Sequence, residues 1–154
     1  MLTTLTGWDV GLRVLLTVVA AAALGYDRRV EGRPASVRST LLVALAACFA
    51  MIQANWLLNT VGKQPTSFIV LDLMRLPLGI LTGVGFIGGG AILKRGDSVS
   101  GLTTAATLWF VTVVGLCFGC GQLWLGGGGA VLGYGILHGT FRSESRSCTA
   151  PCGA

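Results

Sequence analysis

The chain has 154 residues, of which 53% are hydrophobic and only 11% are charged. Soluble domains carry about 25% charged residues on average, so this composition excludes an ordinary soluble domain and predicts a polytopic membrane protein. The net charge is +5, but the distribution of the charges along the chain is more informative than their sum. We expect no nucleic-acid partner.

Apolar segments long enough to span a bilayer recur from the N-terminus onwards. A membrane-spanning helix needs about 20 predominantly apolar residues. The first segment, Val10 to Tyr26, is interrupted only by Arg13, whose long side chain we expect to reach the membrane surface. Residues 39–62 and 76–93 contain no charged side chain. These three segments predict the first three crossings.

The segment between the second and third crossings reads KQPTSFIVLDLMR, residues 63–75. It is too short and too polar at its ends to cross, so we predict a short helix at the membrane surface. Asp72 and Arg75 are three residues apart and would face one another on that helix.

A glycine-rich run, GVGFIG from Gly83 to Gly88, matches the G-x-G-x-x-G dinucleotide fingerprint. That fingerprint needs a preceding strand and an acidic residue about 20 positions later, where this chain has TLWF. We therefore interpret the run as a helix surface on which small residues allow another helix to approach closely. A second interpretation stays open, in which the glycines bend or break the helix at a functional site.

The last uncharged run, Ser98 to Phe141, would be about 60 Å long as one helix, twice the hydrocarbon thickness. It must fold back, and Gly119-Cys120-Gly121 is the natural turn. We therefore predict an all-α transmembrane bundle with about five crossings and glycine-rich packing. Residues 1–9 would form an outer N-terminal segment, residues 10–141 the transmembrane domain, and residues 142–154 a short, disordered cytoplasmic tail.

The basic residues outside the first crossing indicate the orientation, because cytoplasmic loops are enriched in Lys and Arg. Of the eleven basic residues, eight fall on one side of a five-crossing chain: Arg28, Arg29, Arg33, Arg38, Lys94, Arg95, Arg142 and Arg146. Only Lys63 and Arg75 fall on the other side. We predict an outer N-terminus and a cytoplasmic C-terminus.

Residues with catalytic or metal-binding chemistry are scarce. His138 is the only histidine, and no acid or nucleophile is spaced to act with it, so we expect no enzyme, no metal site and no cofactor. The Asp72–Arg75 and Asp27–Arg38 combinations are either structural pairs at helix ends or a surface that binds a cation or a partner. Four polar side chains are expected to face the bundle: Gln53, Asn55, Thr103 and Thr107.

Two longer stretches closely resemble the membrane domain of the MgtC/SapB family. They are LGYDRRVEGRPASVRSTLLV and DLMRLPLGILTGVGFIGGGAILKRGDSVSGLTTAATLW, and the shared order and spacing run from Leu24 to Trp109. The residues that match the motifs of the family are Asp27, Arg28, Arg33, Pro34, Arg38, Asp72, Arg75, Gly83, Gly85, Phe86, Gly88, Gly90, Gly101, Thr103, Thr104 and Trp109. Departures from the usual family residues are Asp27 for Glu, Ser36 for Gly, Ser39 for Thr and Gly89 for Ala.

The resemblance implies a bacterial inner-membrane protein linked to magnesium homeostasis, to stress adaptation and, in pathogens, to survival when magnesium is limiting. It implies a regulator of other membrane proteins, the proton-driven ATP synthase among them. Many family members continue into a soluble cytoplasmic domain, and this chain ends soon after the membrane domain. A small transporter or channel for Mg²⁺ or protons stays open as the alternative, as does a homo-oligomer.

The predicted topology can be tested with reporter fusions. A fusion after Phe141 should fluoresce as a cytoplasmic green fluorescent protein and be inactive as alkaline phosphatase, and a fusion at Gln64 should give the reverse pattern. The eight-to-two division of loop basic residues is the reason for this expectation. Phosphatase activity after Phe141 would contradict it.

Overall fold

The described part of the chain forms five α-helices and one short β-hairpin. The computed structural model describes the backbone of residues 7–30, 37–61, 74–95 and 98–147, and the side chains of residues 7–26, 37–57, 74–94 and 99–137. The helices are α1 (Gly7–Val30), α2 (Val37–Val61), α3 (Arg75–Ala91), α4 (Leu102–Gly119) and α5 (Leu123–Ser147). The predicted all-α bundle is confirmed. The predicted surface helix at residues 63–75 lies mostly outside the described residues.

The β-hairpin between α3 and α4 was not predicted. Strand β1 (Leu93–Arg95) pairs antiparallel with β2 (Ser98–Ser100), with Lys94 opposite Val99. Gly101 follows the hairpin with φ of +93°, and the carbonyl oxygen of Ala91 occupies the place that a Cβ atom would need there. A glycine is required at this position because other residues rarely adopt such a φ. The two strands therefore connect the end of the predicted third crossing to the start of the predicted fourth crossing.

Helix α4 is the centre of the bundle and contacts each of the other four helices. Leu24 of α1, Ala44 of α2 and Val111 of α4 form a fully buried cluster. Gly88 of α3 packs on Ala105 of α4, so these two helices run antiparallel. The packing contacts show that consecutive helices alternate in direction, as expected for a chain that passes back and forth through one layer.

The closest helix crossing joins α2 and α4. A Cβ atom added to Gly115 would lie 2.5 Å from the carbonyl oxygen of Ala44, and one added to Gly119 would lie 2.6 Å from that of Cys48. The two glycines are four residues apart on one face of α4, so the backbones meet along a whole helical turn. Lipid tails are as apolar as leucine, and close backbone contact of this kind is what holds membrane helices together.

Aromatic rings of α4 lie against glycines of α5. A Cβ atom added to Gly126 would be 2.8 Å from the ring of Phe118, and Gly133 is covered in the same way by Phe110. Gly126 and Gly133 are two turns apart on one face of α5 and are both buried. The glycines of the predicted fifth crossing thus form a groove for two phenylalanine rings. Helix α5 reaches Ser147, inside the segment assigned to the tail.

Three helices are long and apolar enough to span a membrane by length and composition: Gly7–Tyr26, Val37–Leu57 and Leu102–Gly119. The apolar part of α5, Leu123–Leu137, is shorter, and α3, with 17 residues, is about 26 Å long. The number of five crossings therefore stays a prediction. The chain does turn at Gly119-Cys120-Gly121, between α4 and α5, as the sequence predicts.

Three of the four tryptophans, all strongly exposed, lie at one end of the bundle. Trp8, Trp56 and Trp124 lie at the start of α1, near the end of α2 and at the start of α5, and are 83%, 65% and 96% exposed. These positions lie together at the turn end, the end of the bundle that carries the α4–α5 turn. Tryptophan is enriched where a membrane meets water, so we expect the turn end at one membrane surface; the β-hairpin lies at the opposite end of the bundle.

The α2–α4 crossing can be tested by adding one methyl group. We expect Gly115→Ala to lower the free energy of unfolding by about 1–3 kcal/mol, the usual cost of overpacking a close contact. Gly127→Ala is the matched control, since no atom of the described residues lies within 4 Å of its added Cβ and alanine favours a helix. Unfolding in detergent measures both variants. Equal stability of the two would contradict the close crossing.

Candidate functional site

The glycine motif of α3 lies mainly on the outside of the bundle. No atom of the described residues is within 4 Å of a Cβ added to Gly83, Gly85 or Gly90, and Phe86 is 86% exposed. Only Gly88 is buried, with Ala105 of α4 at 3.4 Å from its added Cβ. Among the described residues, close helix approach is confirmed for Gly88, and for Gly83 it stays a prediction. Helix α3 is continuous from Arg75 to Ala91, so the alternative that the glycines break the helix is wrong, and the alternative that they bend it stays a prediction.

The start of α4 brings together a second part of the motif. Gly101 is the residue before the helix, and Thr104, one turn into it, is 2% exposed. Thr103 is exposed, and Trp109 is 46% exposed. The expectation that polar side chains face the bundle is met by Thr107, which is buried, and by Asn55, which is half-buried. It is wrong for Gln53 and Thr103, which are exposed.

The charged motif residues are only partly described. Asp27 and Arg28 belong to the last turns of α1, but their side chains lie outside the described residues, as do Arg33, Pro34 and Asp72 altogether. Arg38 and Arg75 are exposed near the starts of α2 and α3. The predicted Asp27–Arg38 and Asp72–Arg75 pairs therefore stay predictions.

Arg13 has a partner that the sequence does not predict. Its side chain is only 7% exposed, because the α4–α5 turn at one end of the bundle covers it. It lies on α1 about 8 Å from Trp8 along the helix axis, and its Nη1 donates a hydrogen bond of 3.0 Å to the carbonyl oxygen of Gly119. No carboxylate of the described residues pairs with this guanidinium. A buried cation held by a neutral oxygen needs a physical explanation.

The C-terminus of α4 accounts for the contact of Arg13 with Gly119, because the last four carbonyl groups of a helix have no partners within the helix. The backbone of the turn supplies donors to three of them: Cys120 to Leu116, Gln122 to Cys117, and Gly121 to Phe118. Gly121 has φ of +83°, which allows the chain to turn back in this way. The carbonyl of Gly119 is the one that the turn does not satisfy.

Two side chains from neighbouring helices satisfy that carbonyl. Arg13 donates from α1, and Nδ2 of Asn55 donates from α2 at 3.2 Å to the same oxygen. The guanidinium also lies on Gly121, where an added Cβ would be 2.7 Å from Nη2. Because the C-terminal end of a helix carries about half a negative charge, it favours the positive charge of Arg13. We call Arg13, Asn55, Gly119 and Gly121 the Arg13 cluster.

Three of the five buried threonine hydroxyls among the described residues form local bonds. Thr17, Thr107 and Thr112 each donate to the carbonyl oxygen four residues earlier on the same helix, at 2.7–2.9 Å. These hydroxyls therefore have partners without any ligand. The described residues contain no group of three or more His, Cys, Asp or Glu side chains that could hold a metal ion. The arrangement can anchor helices, and it offers no acid–base pair.

Sequence signals for the Arg13 cluster existed but were weaker than the glycine motif of α3. GLCFG, from Gly115 to Gly119, is a small-xxx-small pattern directly before the predicted turn. Arg13 is the only charge inside an otherwise apolar segment, a position that usually indicates a buried partner. The partner is a backbone carbonyl more than a hundred residues away, and no side-chain pattern in the sequence reveals it.

Comparison with known proteins places the chain among membrane proteins. The model of the MgtC family matches residues 14–145. The chain is 34% identical over 127 residues to the Escherichia coli (strain K12) protein named "Putative magnesium transporter YhiD", covering 82% of this chain and 58% of that protein. It is 38% identical over 124 residues to SrpB of Synechococcus elongatus, covering 74% and 65%. No solved structure matches.

A third relative is MgtC of Salmonella typhimurium (strain LT2), which is 34% identical over 111 residues, covering 72% of this chain and 43% of that protein. The chain thus spans between 43% and 65% of the length of these three relatives. The family match begins one residue after Arg13, so the role of Arg13 has to be tested directly.

Replacing the two donors of the Arg13 cluster tests its role. We expect Arg13→Ala and Asn55→Ala each to lower the free energy of unfolding by about 1–2 kcal/mol, since one donor still satisfies the Gly119 carbonyl. The double variant should lose more than the sum, because the carbonyl is then buried without a partner. Lys94→Ala, which removes an exposed cation, is the control and should be neutral. A strictly additive double variant would contradict this account.

Proposed function

The chain belongs to the MgtC family of membrane proteins, and we propose that it regulates other membrane proteins during adaptation to low magnesium, without itself carrying an ion flux. The relationship to magnesium is supported by the name of the Escherichia coli relative, "Putative magnesium transporter YhiD". The regulatory role, its partners and the site of action are the proposal. The proton-driven ATP synthase is one candidate partner among them.

The packing around α4 is the observation that carries the proposal. The buried clusters of the described residues consist of apolar side chains: Ala20, Ala21, Leu24, Ala44, Ala47, Met51, Val111, Val114, Leu116 and Phe118. The hydroxyls of Thr17, Thr107 and Thr112 are bonded within their own helices. A Mg²⁺ ion needs oxygen ligands in place of the waters that it sheds. The three apolar clusters offer no such ligand, and the remaining buried hydroxyls of the described core are those of Thr40 and Thr104.

The charge of Arg13 gives further support. A cation buried near the turn end repels another cation that approaches through the same region. Its place in the bundle is explained by the C-terminus of α4, so no ion path is needed to account for it. The Arg13 cluster therefore fits a rigid scaffold better than a conducting one.

The second candidate function is a small transporter for Mg²⁺ or protons. The name of the Escherichia coli relative, which refers to a magnesium transporter, favours it. This chain spans 58% of that protein, so the activity of the whole relative is not assigned to this chain by its name. Sites for transport would then have to involve residues outside the described ranges or a second copy.

We also propose the bacterial inner membrane as the location, with the N-terminus outside. Arg38 at the start of α2 and Lys94 in β1 lie at the same end of the bundle as the hairpin, opposite the turn end. Enrichment of basic residues at the cytoplasmic surface supports this orientation. The Arg13 cluster would then lie near the outer surface.

A flux assay separates the two functions. Purified protein in sealed vesicles that contain a magnesium-sensitive dye, or a pH dye, should show no flux above that of empty vesicles under an imposed gradient. Cells that lack the protein should nevertheless grow poorly in low magnesium, and the wild-type gene should restore growth.

The variant Thr103→Val is the matched control for that assay, because it removes an exposed hydroxyl from α4 with little change of shape. Under the regulatory proposal, vesicles with this variant and with wild-type protein both behave as empty ones. Gradient-driven flux that Thr103→Val or Asp72→Ala abolishes would overturn the proposal and make the protein a transporter.

A further inference from the structure

One face of α3 carries a large ring among open glycines. Gly79, Gly83, Phe86 and Gly90 follow one another at spacings of four, three and four residues, and we call this row the α3 outer face. No atom of the described residues lies within 4 Å of a Cβ added to any of the three glycines. Phe86 is 86% exposed. The opposite side of α3, with Val84 and Gly88, is the side that is buried.

The same chain shows how such a face is covered when it has a partner. On α5, Gly126 and Gly133 lie beneath the rings of Phe118 and Phe110 of α4. The α3 outer face presents both halves of that arrangement, a phenylalanine ring and glycines that could receive one. Within the described residues neither half has a partner, and a surface that carries both is complementary to itself.

Two-fold symmetry fits the spacing of the row. Two copies related by an axis along the membrane normal have parallel α3 helices, with identical residues at the same depth. Gly83 and Gly90 lie about one turn before and after Phe86, so the ring of each copy would meet glycines of the other. In such an interface each contact occurs twice. An unrelated partner would use only one half of the arrangement.

The length of α3 favours the same occupant. With 17 residues the helix is about 26 Å long, against about 30 Å for the hydrocarbon core. A helix that is too short for its bilayer is accommodated in part by oligomerisation. The α3 outer face itself is uncharged. Thr82 is also exposed on α3, and its hydroxyl already donates a hydrogen bond to the carbonyl oxygen of Leu78.

We propose that the α3 outer face is the interface of a parallel homodimer, in which Phe86 of each copy packs on the glycines around Gly83 and Gly90 of the other. This inference goes beyond the proposed regulatory function and does not rest on it. The dimer interface lies on the opposite side of α3 from α4, so it leaves the Arg13 cluster unchanged.

Photo-cross-linking in native membranes tests the interface with the full chain. A benzoylphenylalanine at position 86 should give a product of twice the mass of the chain, which peptide mass spectrometry identifies as the same chain cross-linked to itself. The matched control is the same group at position 49, because Phe49 on α2 is also exposed, at 52%, and has no such glycine row. Cross-links from position 86 only to lipid or to other proteins would overturn the proposal.

A second measurement uses the dimer fraction in liposomes, counted by single-molecule photobleaching at several protein-to-lipid ratios. We expect Phe86→Ala to weaken the dimer about tenfold or more, equal to about 1.4 kcal/mol, and Phe49→Ala to leave it unchanged. Gly83→Leu, which fills the receiving groove, should act as Phe86→Ala does. Unfolding temperatures in detergent check that the variants fold. A monomeric wild-type protein, or equal effects at positions 86 and 49, would overturn the inference.

Discussion

Every carbonyl group at the end of a helix in a membrane has to find a hydrogen-bond donor, since lipid supplies none. The carbonyl of Gly119 is where this constraint organises the bundle. The turn after α4 satisfies the three carbonyls before it, and Gly119 depends on Arg13 and Asn55. Asn55 can reach it only because Gly119 and Gly115 allow α2 to approach α4 closely. Helices α1 and α2 and the α4–α5 turn therefore meet at one oxygen atom.

Composition and charge were sufficient to predict the helical bundle and the turn at Gly119-Cys120-Gly121, because burial in lipid is a property of whole segments. They were insufficient to predict which face of a helix meets another helix. The sequence contains glycine rows in α3, α4 and α5, and the row with the most motif-like spacing, in α3, packs least within the chain. Contacts such as Arg13 with Gly119 join distant residues through the backbone, which carries no sequence signal. The β-hairpin was missed for a related reason, since its three-residue strands are too short for a periodic pattern.

The residues that resemble the family motif and the residues that hold the bundle together are largely different sets. Gly83, Gly85, Phe86 and Trp109 are on the outside, whereas the Arg13 cluster and the Gly115–Gly119 crossing are inside. Exposed glycines and aromatic rings on a membrane protein favour contact with other helices. This division agrees with a scaffold whose outer surface acts on partners, and it explains why the motif alone does not indicate the internal packing.

The electric potential across a membrane acts on the buried charge of Arg13. With the turn end at a membrane surface, as proposed, the charge lies within about a quarter of a 30 Å hydrocarbon core from that surface, because Arg13 is about 8 Å from Trp8 along α1 and its guanidinium contacts Gly121 of the turn. A full crossing by one charge is equivalent to about 2.3 kcal/mol per 100 mV, so a potential of that size changes the energy of Arg13 by only about 0.6 kcal/mol. A hydrogen bond from a charged donor contributes about 1.5–3 kcal/mol. Arg13 therefore stays bound to Gly119 whether the membrane is energised or not.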